Sequence, residues 1–553
     1  MNSLARLTSV SPAAWLAALM IASLSADDQQ QRPAPPAAGV DLAMFALSGD
    51  CLACHNDLLS PAGEDVSIGA SWRGTIMANS ARDPYFHASV RRETLEHPSR
   101  AADIEDECAG CHMPAPRQIA RAAGARGQVF SYLPVAARAG ASPLDDLAAD
   151  GVSCTVCHQI APDRLGTRDG FNGNFVVAPP LPSGARRVFG PFEADTGRRR
   201  IMHSATGFEQ ISASHIRESE FCATCHTLIT EALDPDGRVN GSLPEQMNYQ
   251  EWRHSAFFLE QRSCQSCHMP IVDGPVRVSS VLGEYRDTLS QHTFLGGNAF
   301  MLRLMSHYRT ELGVQATPAE LEAVARATVR QMERDTAEIV IERVTRTGAS
   351  LDLEIVVGNL TGHKFPTGYP SRRAWLHVTV RATDGRVVFE SGGLTPRGSI
   401  SGNDNDASGT TFEPHYQEIT RPDQVQIYEA IMGTPDGVPT SGLLRATRYL
   451  KDNRLLPRGF DKTTAAAEIA VVGAAASDTD FAGGGDRVRY RMPIDAPGEL
   501  IVEAELRYQP IAFRWAQNLA AYSGAEPKAF LGYYDAMAPS SSLVSARALR
   551  RVP

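Results

Sequence analysis

The stretch Phe221-Cys222-Ala223-Thr224-Cys225-His226 contains a Cys-x-x-Cys-His pattern that the chain uses five times. The other copies are Cys51-Leu52-Ala53-Cys54-His55, Cys108-Ala109-Gly110-Cys111-His112, Cys154-Thr155-Val156-Cys157-His158 and Cys264-Gln265-Ser266-Cys267-His268. The five copies use all ten cysteines of the chain. We therefore expect the cysteines to share one role rather than to belong to unrelated sites.

Cys-x-x-Cys-His is the attachment signature of c-type haem. Two cysteines one helical turn apart can bond both vinyl groups at one edge of a porphyrin, and the next residue can ligate the iron. Zinc sites also use cysteine pairs, but they combine two pairs into four ligands, and five copies are an odd number. A thioredoxin-like dithiol would need one copy in a βαβ setting. The motifs predict five covalent haem c groups, with proximal iron ligands His55, His112, His158, His226 and His268.

The beginning of the chain predicts export. Residues 1–26 have a positive charge at Arg6, a short apolar run over residues 13–22 and small residues before Asp27, as in a secretory signal peptide. The apolar run is shorter than the roughly 20 residues of a membrane span, and an uncleaved anchor is the alternative. Residues 27–44 are rich in Gln, Pro and Ala and predict a flexible tether. The expected location is periplasmic or extracellular, where c-type haem is attached.

Charge and cysteine usage narrow the range of partners. The formal net charge of −10 excludes nucleic acid as a natural partner and favours redox partner proteins. No segment after the signal peptide is apolar enough to cross a membrane, so the mature chain is predicted to have no span. Because every cysteine lies in a motif, the exported chain is not a disulfide scaffold.

The chain divides into a motif-rich part and a β-rich part, so the predicted fold class is α+β multidomain. Residues 45–313 predict a mostly helical and irregular pentahaem domain, in which the haems replace a side-chain core. Its clearest helices are expected at 85–96, 246–259 and 300–312. A connecting helix is expected over 314–337, because Thr317-Pro318-Ala319-Glu320 is a capping box.

Residues 338–510 predict an antiparallel β-sandwich-like domain. Short alternating apolar runs with turn residues between them indicate strands and no intervening helices. The expected strands are 339–346, 351–357, 374–381, 387–390, 468–472, 487–492 and 499–508. A helical tail is expected over 511–553.

Each haem iron has a second, distal coordination position, and ten histidines lie outside the motifs. His215 closely precedes the fourth motif, His292 lies in a loop beside two glycines, and His203 is close in sequence to two motifs. We predict these three as distal iron ligands, with a surface or substrate-facing imidazole as the alternative. His97 and His254 lie on predicted helices just ahead of a motif and complete the predicted set.

Other residues have two readings. His363 opens the β-rich domain and could either ligate a haem or cap a turn. Met77 is a thioether candidate for the first haem, against a buried methionine as the alternative. The remaining histidines are expected on helix surfaces (His87, His307) or in structural roles (His377, His415).

Two loops have clustered carboxylates and are candidates for calcium. They are Asn403-Asp404-Asn405-Asp406, and Asp478-Thr479-Asp480 with Asp486. Turns have the same composition without any metal, and we favour that reading.

The Cys-x-x-Cys-His-Met-Pro elements at 108–114 and 264–270, with Glu251-Trp252 ahead of Cys264, resemble multihaem c-type cytochromes. Over roughly residues 45–313, the chain is similar to the cytochrome c554 and hydroxylamine-oxidoreductase-like superfamily. The resemblance implies closely packed haems, often in stacked pairs, with mostly bis-histidine iron. The stretch 362–373 looks like a C-terminal domain of some larger members. The haem count departs from the pattern, since cytochrome c554 carries four haems and hydroxylamine oxidoreductase more, so no substrate chemistry carries over.

Three functions fit these observations. The favoured one is an exported electron carrier in which five haems connect a donor to an acceptor, because enough histidines exist to ligate every iron. The alternative is an oxidoreductase acting on a small nitrogen or sulfur compound at one haem with an open position. In the third, the β-rich domain docks a partner or another copy of the chain, so that haem chains extend through self-association.

Overall fold

The computed structural model describes residues 41–553, so the predicted signal peptide and most of the predicted tether lie outside the described residues. The described chain combines helices with mainly antiparallel sheets, in agreement with the mixed α+β class. Within residues 41–553, no helix has the length and apolarity that a membrane crossing requires.

Short helices dominate the part of the chain before residue 313. Their starts follow ordinary capping rules: the Asp83 side chain accepts from the backbone N–H groups of Tyr85 and Phe86, and Pro84 occupies the first turn. The helices are α1 (Ser48–Leu52), α2 (Ile68–Arg73), α3 (Pro84–Glu96), α4 (Ala101–His112), α5 (Pro114–Ala122), α6 (Val135–Arg138), α7 (Pro143–Ala149), α8 (Cys154–Cys157), α9 (Thr196–Thr206), α10 (Ser219–His226), α11 (Asn248–Arg253), α12 (Ala256–Leu259), α13 (Cys264–His268), α14 (Ala299–His307) and α15 (Arg309–Leu312).

The structure corrects the prediction of one helix over 246–259. Residues 246 and 247 end a strand, and two short helices follow it, because the Ser255 side chain caps a new helix at Phe257. Small two-stranded sheets accompany these helices. Their strands are β1 (Arg186–Gly190) with β2 (Phe208–Ser212), β3 (Thr227–Leu233) with β4 (Val239–Met247), and β5 (Val276–Arg277) with β6 (Tyr285–Arg286).

The connecting helix α16 (Pro318–Gln331) begins with the predicted capping box. The Thr317 side chain accepts from the Glu320 backbone, and the Glu320 side chain accepts from the Thr317 backbone. A π-helical turn, Met332–Thr336, follows directly and leads into the first long strand. Leu321, Val324 and Ala325 are the buried face of this helix.

Two sheets form the β-rich part. The larger has the strand order β13-β12-β9-β16-β17, with β10 beside β9 and β14 beside β12, and the smaller has the order β11-β15-β8-β7. The strands are β7 (Ala337–Thr347), β8 (Ser350–Asn359), β9 (Arg373–Ala382), β10 (Val387–Ser391), β11 (Glu418–Ile419), β12 (Ile427–Gly433), β13 (Pro439–Thr440), β14 (Arg448–Asp452), β15 (Gly485–Pro493), β16 (Leu500–Gln509) and β17 (Leu543–Val552).

The two sheets share one hydrophobic core. Leu353 and Ile355 on β8 pack in the same cluster as Leu376 on β9 and Leu506 on β16, and all four are fully buried. Burial alternates along β15, as expected for a strand with one face on the core. The β-rich part is thus held by ordinary side-chain packing between facing sheets.

Three more differences from the sequence prediction lie in the β-rich part. Residues 468–472 are not a strand: a 3₁₀ turn, Ala467–Ile469, occupies the segment, and only Val472 bridges to Asp452. The tail over 511–553 begins with helices α17 (Phe513–Gln517) and α18 (Ala525–Met537), but its last part is strand β17. β17 pairs with β16 along its whole length, and this pairing overrides its helix-forming composition. The central strand β12 was not predicted.

Candidate cofactor-binding cavity

All five motifs line one cavity, which we call the motif cavity. It has a volume of about 1430 Å³, and a site for one small molecule has roughly 300–1,000 Å³. Every motif cysteine and every motif histidine contributes to its wall. The cavity is therefore large enough for several groups, and the chain's ten cysteines all reach it.

Each motif lies on or ends a helical turn, in α1, α4, α8, α10 and α13. This local structure follows from the sequence, because a short turn brings two cysteines three positions apart to the same side. In α4 the turn ends at His112, and Met113 is the C-cap. The arrangement fits a porphyrin bonded through two thioethers, with the following histidine turned under the ring.

Four of the motif histidines are oriented by their Nδ1 atoms. Each Nδ1–H donates to a backbone carbonyl from elsewhere in the chain, which leaves Nε2 available as a metal ligand. The pairs are His55 with Val278 (2.7 Å), His112 with Ser80 (3.3 Å), His158 with Phe189 (2.5 Å) and His268 with Leu295. This pattern is the one expected for imidazoles that serve as iron ligands.

Two further histidines face motif histidines across the cavity. The ring centres of His158 and His292 are 6.4 Å apart, and those of His268 and His363 are 6.2 Å apart. The ring planes of the two pairs differ by only 22° and 17°. One metal ion bonded to both Nε2 atoms at about 2 Å would separate the ring centres by roughly 6 Å. Each pair thus has the spacing of two axial ligands on one iron.

The two distal candidates are also held by their Nδ1 atoms. His292 Nδ1 bonds the Ser290 carbonyl at 3.2 Å, and His363 Nδ1 bonds the Lys364 carbonyl at 2.9 Å. Burial lowers the pKa of both imidazoles to about 4, so both are neutral and have a free lone pair at Nε2. His292 was predicted as a distal ligand, whereas His363 was left open between ligand and turn cap.

The other four predicted distal ligands lie elsewhere. His215 is buried with its Nε2 on the Ile160 carbonyl at 2.9 Å, and His254 Nε2 bonds the Asp461 carbonyl at 2.9 Å. His203 is an exposed residue of α9, and His97 is buried outside the cavity wall. In the described structure, none of these four histidines lines the motif cavity, and their role as distal ligands stays a prediction.

His307 is exposed on α14, as expected, and His377 bonds Glu390 and Glu505. The surface position predicted for His87 is wrong, because this residue is partly buried and its Nε2 bonds the Ala81 carbonyl. Met77 lines the cavity.

The carboxylate loops have partners other than a metal. The two carboxylate oxygens of Asp406 accept hydrogen bonds from the two terminal nitrogens of the Arg373 guanidinium, at 2.8 and 2.9 Å. His415 donates to Asp478 through Nε2 (3.0 Å) and accepts from Gln426 through Nδ1 (2.8 Å). Protein hydrogen bonds thus satisfy these groups in the described structure. One ligand atom each from His415, Asp478 and Asp486 also lies within 4.8 Å of the others.

Sequence reasoning missed the arginines of the cavity wall. Eight of them line it and supply positive charge where haem propionates would need partners. They are Arg198, Arg199, Arg217, Arg262, Arg286, Arg330, Arg334 and Arg372. These arginines have no fixed spacing from the motifs, so no sequence pattern predicts them.

Contacts between cysteines give the order of the motifs in space. Cys154 raises the pKa of Cys51, Cys111 raises the pKa of Cys225, and Cys264 raises the pKa of Cys222, so the two thiols of each pair lie close together. Cys157 of the third motif lies close enough to the fourth motif for its charge to raise the pKa of both Cys222 and Cys225. The fourth motif therefore contacts the second and fifth, and the third connects it to the first.

No protein-family model matches the chain, and no curated protein matches it. Among solved structures, the chain is similar to a penta-heme cytochrome c552 from Thermochromatium tepidum. The TM-score is 0.50 at 15% sequence identity, and the match covers 92% of this chain and 100% of the other. At this identity the match shows a shared fold.

Proposed function

We propose that this chain is an exported multihaem c-type cytochrome that carries electrons between redox partner proteins. The proposal rests mainly on the observation that the cysteines and histidines of all five motifs line one cavity. Similarity of fold to a penta-heme cytochrome supports the same assignment. Haem iron, when bound, accepts and donates single electrons at a potential that its axial ligands tune.

In this proposal, each motif attaches one haem through its two cysteines and ligates the iron through its histidine, which gives five haems. His292 is the distal ligand opposite His158, and His363 is the distal ligand opposite His268. The chain's own residues hold the Nε2 atoms in place, because backbone carbonyls fix the Nδ1–H groups. The wall arginines neutralise the propionates.

The order of the motifs supports a branched path for electrons. The fourth motif forms a junction to the second and fifth, and the third motif extends the path to the first. A donor and an acceptor could therefore use different ends of one connected set of haems. We also propose that the chain is a member of the cytochrome c554 and hydroxylamine-oxidoreductase-like superfamily.

The domain division is also part of the proposal. Residues 45–313 form the haem-binding part, 314–337 the connecting segment and 338–510 the β-rich part, which strand β17 completes. The two parts are nevertheless in contact, because Leu360, His363 and Tyr508 of the β-rich part line the motif cavity. We assign to the β-rich part the task of closing the cavity and supplying His363. Residues 1–26 are the proposed export signal.

An oxidoreductase with an open haem is the second candidate. Across residues 41–553, His292 and His363 are the two non-motif histidines in the cavity wall. His55, His112 and His226 thus have no facing histidine among the described residues, and burial lowers the pKa of His112 and His226 to about 4. An iron held by one imidazole has room for a small nitrogen or sulfur compound.

Haem counting with EPR spectroscopy tests both candidates. We expect five haems per chain, and substitution of both Cys222 and Cys225 by Ala should leave four. Fewer than five haems in the unaltered chain would contradict the proposal. If all haems are low-spin, the electron-carrier function stands alone, whereas high-spin haem that shifts on addition of nitrite, hydroxylamine or sulfite supports the oxidoreductase.

A further inference from the structure

A group of buried acids lies beside the second motif. Glu93 on α3, Glu107 on α4 and Glu245 on β4 all line the motif cavity. Glu93 and Glu245 are 4% and 3% exposed, so solvent does not reach them directly. The charges of all three raise the pKa of the Cys108 thiol further, after the larger effect of its burial, which means that they lie close to this attachment point.

These acids have no ion-pair partner among the described residues. Glu245 accepts from the Thr230 hydroxyl at 2.5 Å, and Glu93 accepts from the backbone N–H groups of Leu443 and Leu444. Burial disfavours a charged carboxylate, and at Glu93 this effect exceeds the opposite effect of the Arg92 charge. Burial accordingly raises the pKa of Glu245 to about 7 and also raises the pKa of Glu93.

A polar path leads outward from Glu93. One ligand atom each from Glu93, Glu96 and His97 lie within 4.8 Å of one another. Both ring nitrogens of His97 and the Oε2 of Glu96 are buried without a protein partner. Buried polar atoms of this kind are normally satisfied by internal water, which also conducts protons. Glu96 in turn approaches Arg445 at 3.7 Å, whose side chain is 52% exposed.

We propose that Glu245 and Glu93 take up a proton from solvent, by way of Glu96 and His97, when an electron reaches the haem attached at Cys108 and Cys111. The inference rests on the proposed function, since it needs that haem. One electron from a redox partner enters the haem, and one proton converts a carboxylate of the pair to the carboxylic acid. On reoxidation the electron passes to the next haem and the proton returns to solvent.

The charge change explains why this pair responds. An added electron makes the space beside Cys108 more negative, so it raises the affinity of a neighbouring carboxylate for a proton. Proton uptake keeps the total charge of the buried region constant, which removes most of the cost of placing the electron there. Other titratable or charged groups lie around the pair: Tyr85, Arg92, Glu96 and His97 on or next to α3, Glu107 on α4, Glu231 on β3, Tyr449 on β14, and Tyr369, Arg445 and Tyr522.

Redox titration at several pH values tests the inference. In the haem-loaded chain, one midpoint potential should be flat below about pH 7, the pKa of Glu245, and should fall as pH rises above it, with a slope approaching one proton per electron. Glu245→Gln should flatten that slope while five haems remain attached, and Glu245→Asp should keep it. The control Glu322→Gln, which breaks an exposed pair with Arg303, should leave the slope unchanged.

Proton uptake on rapid reduction, followed with a pH indicator dye, tests the path. His97→Phe should slow uptake at least tenfold and leave the equilibrium slope intact. A full slope in Glu245→Gln with five haems attached would overturn the inference and leave the proposed function standing. Loss of haem in the unaltered chain would instead overturn the proposed function. An unchanged uptake rate in His97→Phe would overturn the path.

Discussion

The motif-rich part and the β-rich part are stabilised in different ways. The facing sheets share one continuous core that joins fully buried residues such as Leu353, Leu376 and Leu506. Around the motif cavity the clusters are smaller, for example Leu52, Trp72 and Ala78 at the first motif, and the one large cluster of this part packs α14 against α16 and the C-terminal helices. Porphyrins would supply the missing apolar surface there. One chain therefore contains a part that its side chains hold together and a part that needs its cofactor.

The largest expected effect comes from withholding haem. Without porphyrins the cavity walls lose their packing partners, so residues 45–313 should exchange their amide hydrogens rapidly, while the paired strands β8, β9 and β16 stay protected. Hydrogen–deuterium exchange with mass spectrometry of loaded and unloaded chain measures both. Equal protection of the two parts in the unloaded chain would contradict the comparison.

A substitution in the hydrophobic core tests whether side-chain packing holds the β-rich part together. Leu506→Ala, at a fully buried position shared by both sheets, should lower the free energy of unfolding of the β-rich part by about 2–5 kcal/mol. Val340→Ala on β7, where the side chain is 50% exposed, is the matched control and should cost much less. Denaturant unfolding of the loaded chain gives both values, and haem content should not change. A similar loss in both variants would mean that the sheets do not depend on this core.

The smallest expected effect is on a single haem, and it comes from substituting His363, the histidine that the β-rich part contributes to the cavity. His363→Ala should convert one haem from low to high spin, because the iron of His268 loses its distal ligand. His215→Ala removes a buried imidazole whose Nε2 bonds a backbone carbonyl, so it should leave the spin state unchanged. Optical and EPR spectra of the oxidised variants decide. A low-spin His363→Ala protein would remove His363 from the ligand set.

Local patterns in the sequence predicted the features that depend on residues close together in the chain. The five motifs, the capping box at Thr317 and the alternating strands β7, β8, β15 and β16 could be read in this way. Strand β12 was missed because all its residues are buried, so its sequence has no alternation. Strand β17 was missed because its Ala, Leu and Arg residues favour helix.

The distal ligands depend on long-range folding and could not be ranked from spacing. His363 reaches its partner His268 from 95 residues further along the chain, through a loop that Asn359 and Thr361 shape by hydrogen bonds. His215 and His254 have favourable positions next to motifs, yet their Nε2 atoms bond carbonyls. Of the five histidines chosen by their position in the sequence, His292 alone lines the motif cavity in the described structure.

The closeness of thiols from different motifs bears on how the protein matures. Cys51 lies near Cys154, Cys111 near Cys225 and Cys222 near Cys264, so each pair joins two motifs. Thiols that approach each other can oxidise to a disulfide, and in the proposed cytochrome each such bond would remove one attachment atom from two haems at once. Haem attachment would then have to precede this oxidation, and a reducing environment would favour the loaded cytochrome over a crosslinked, haem-poor product.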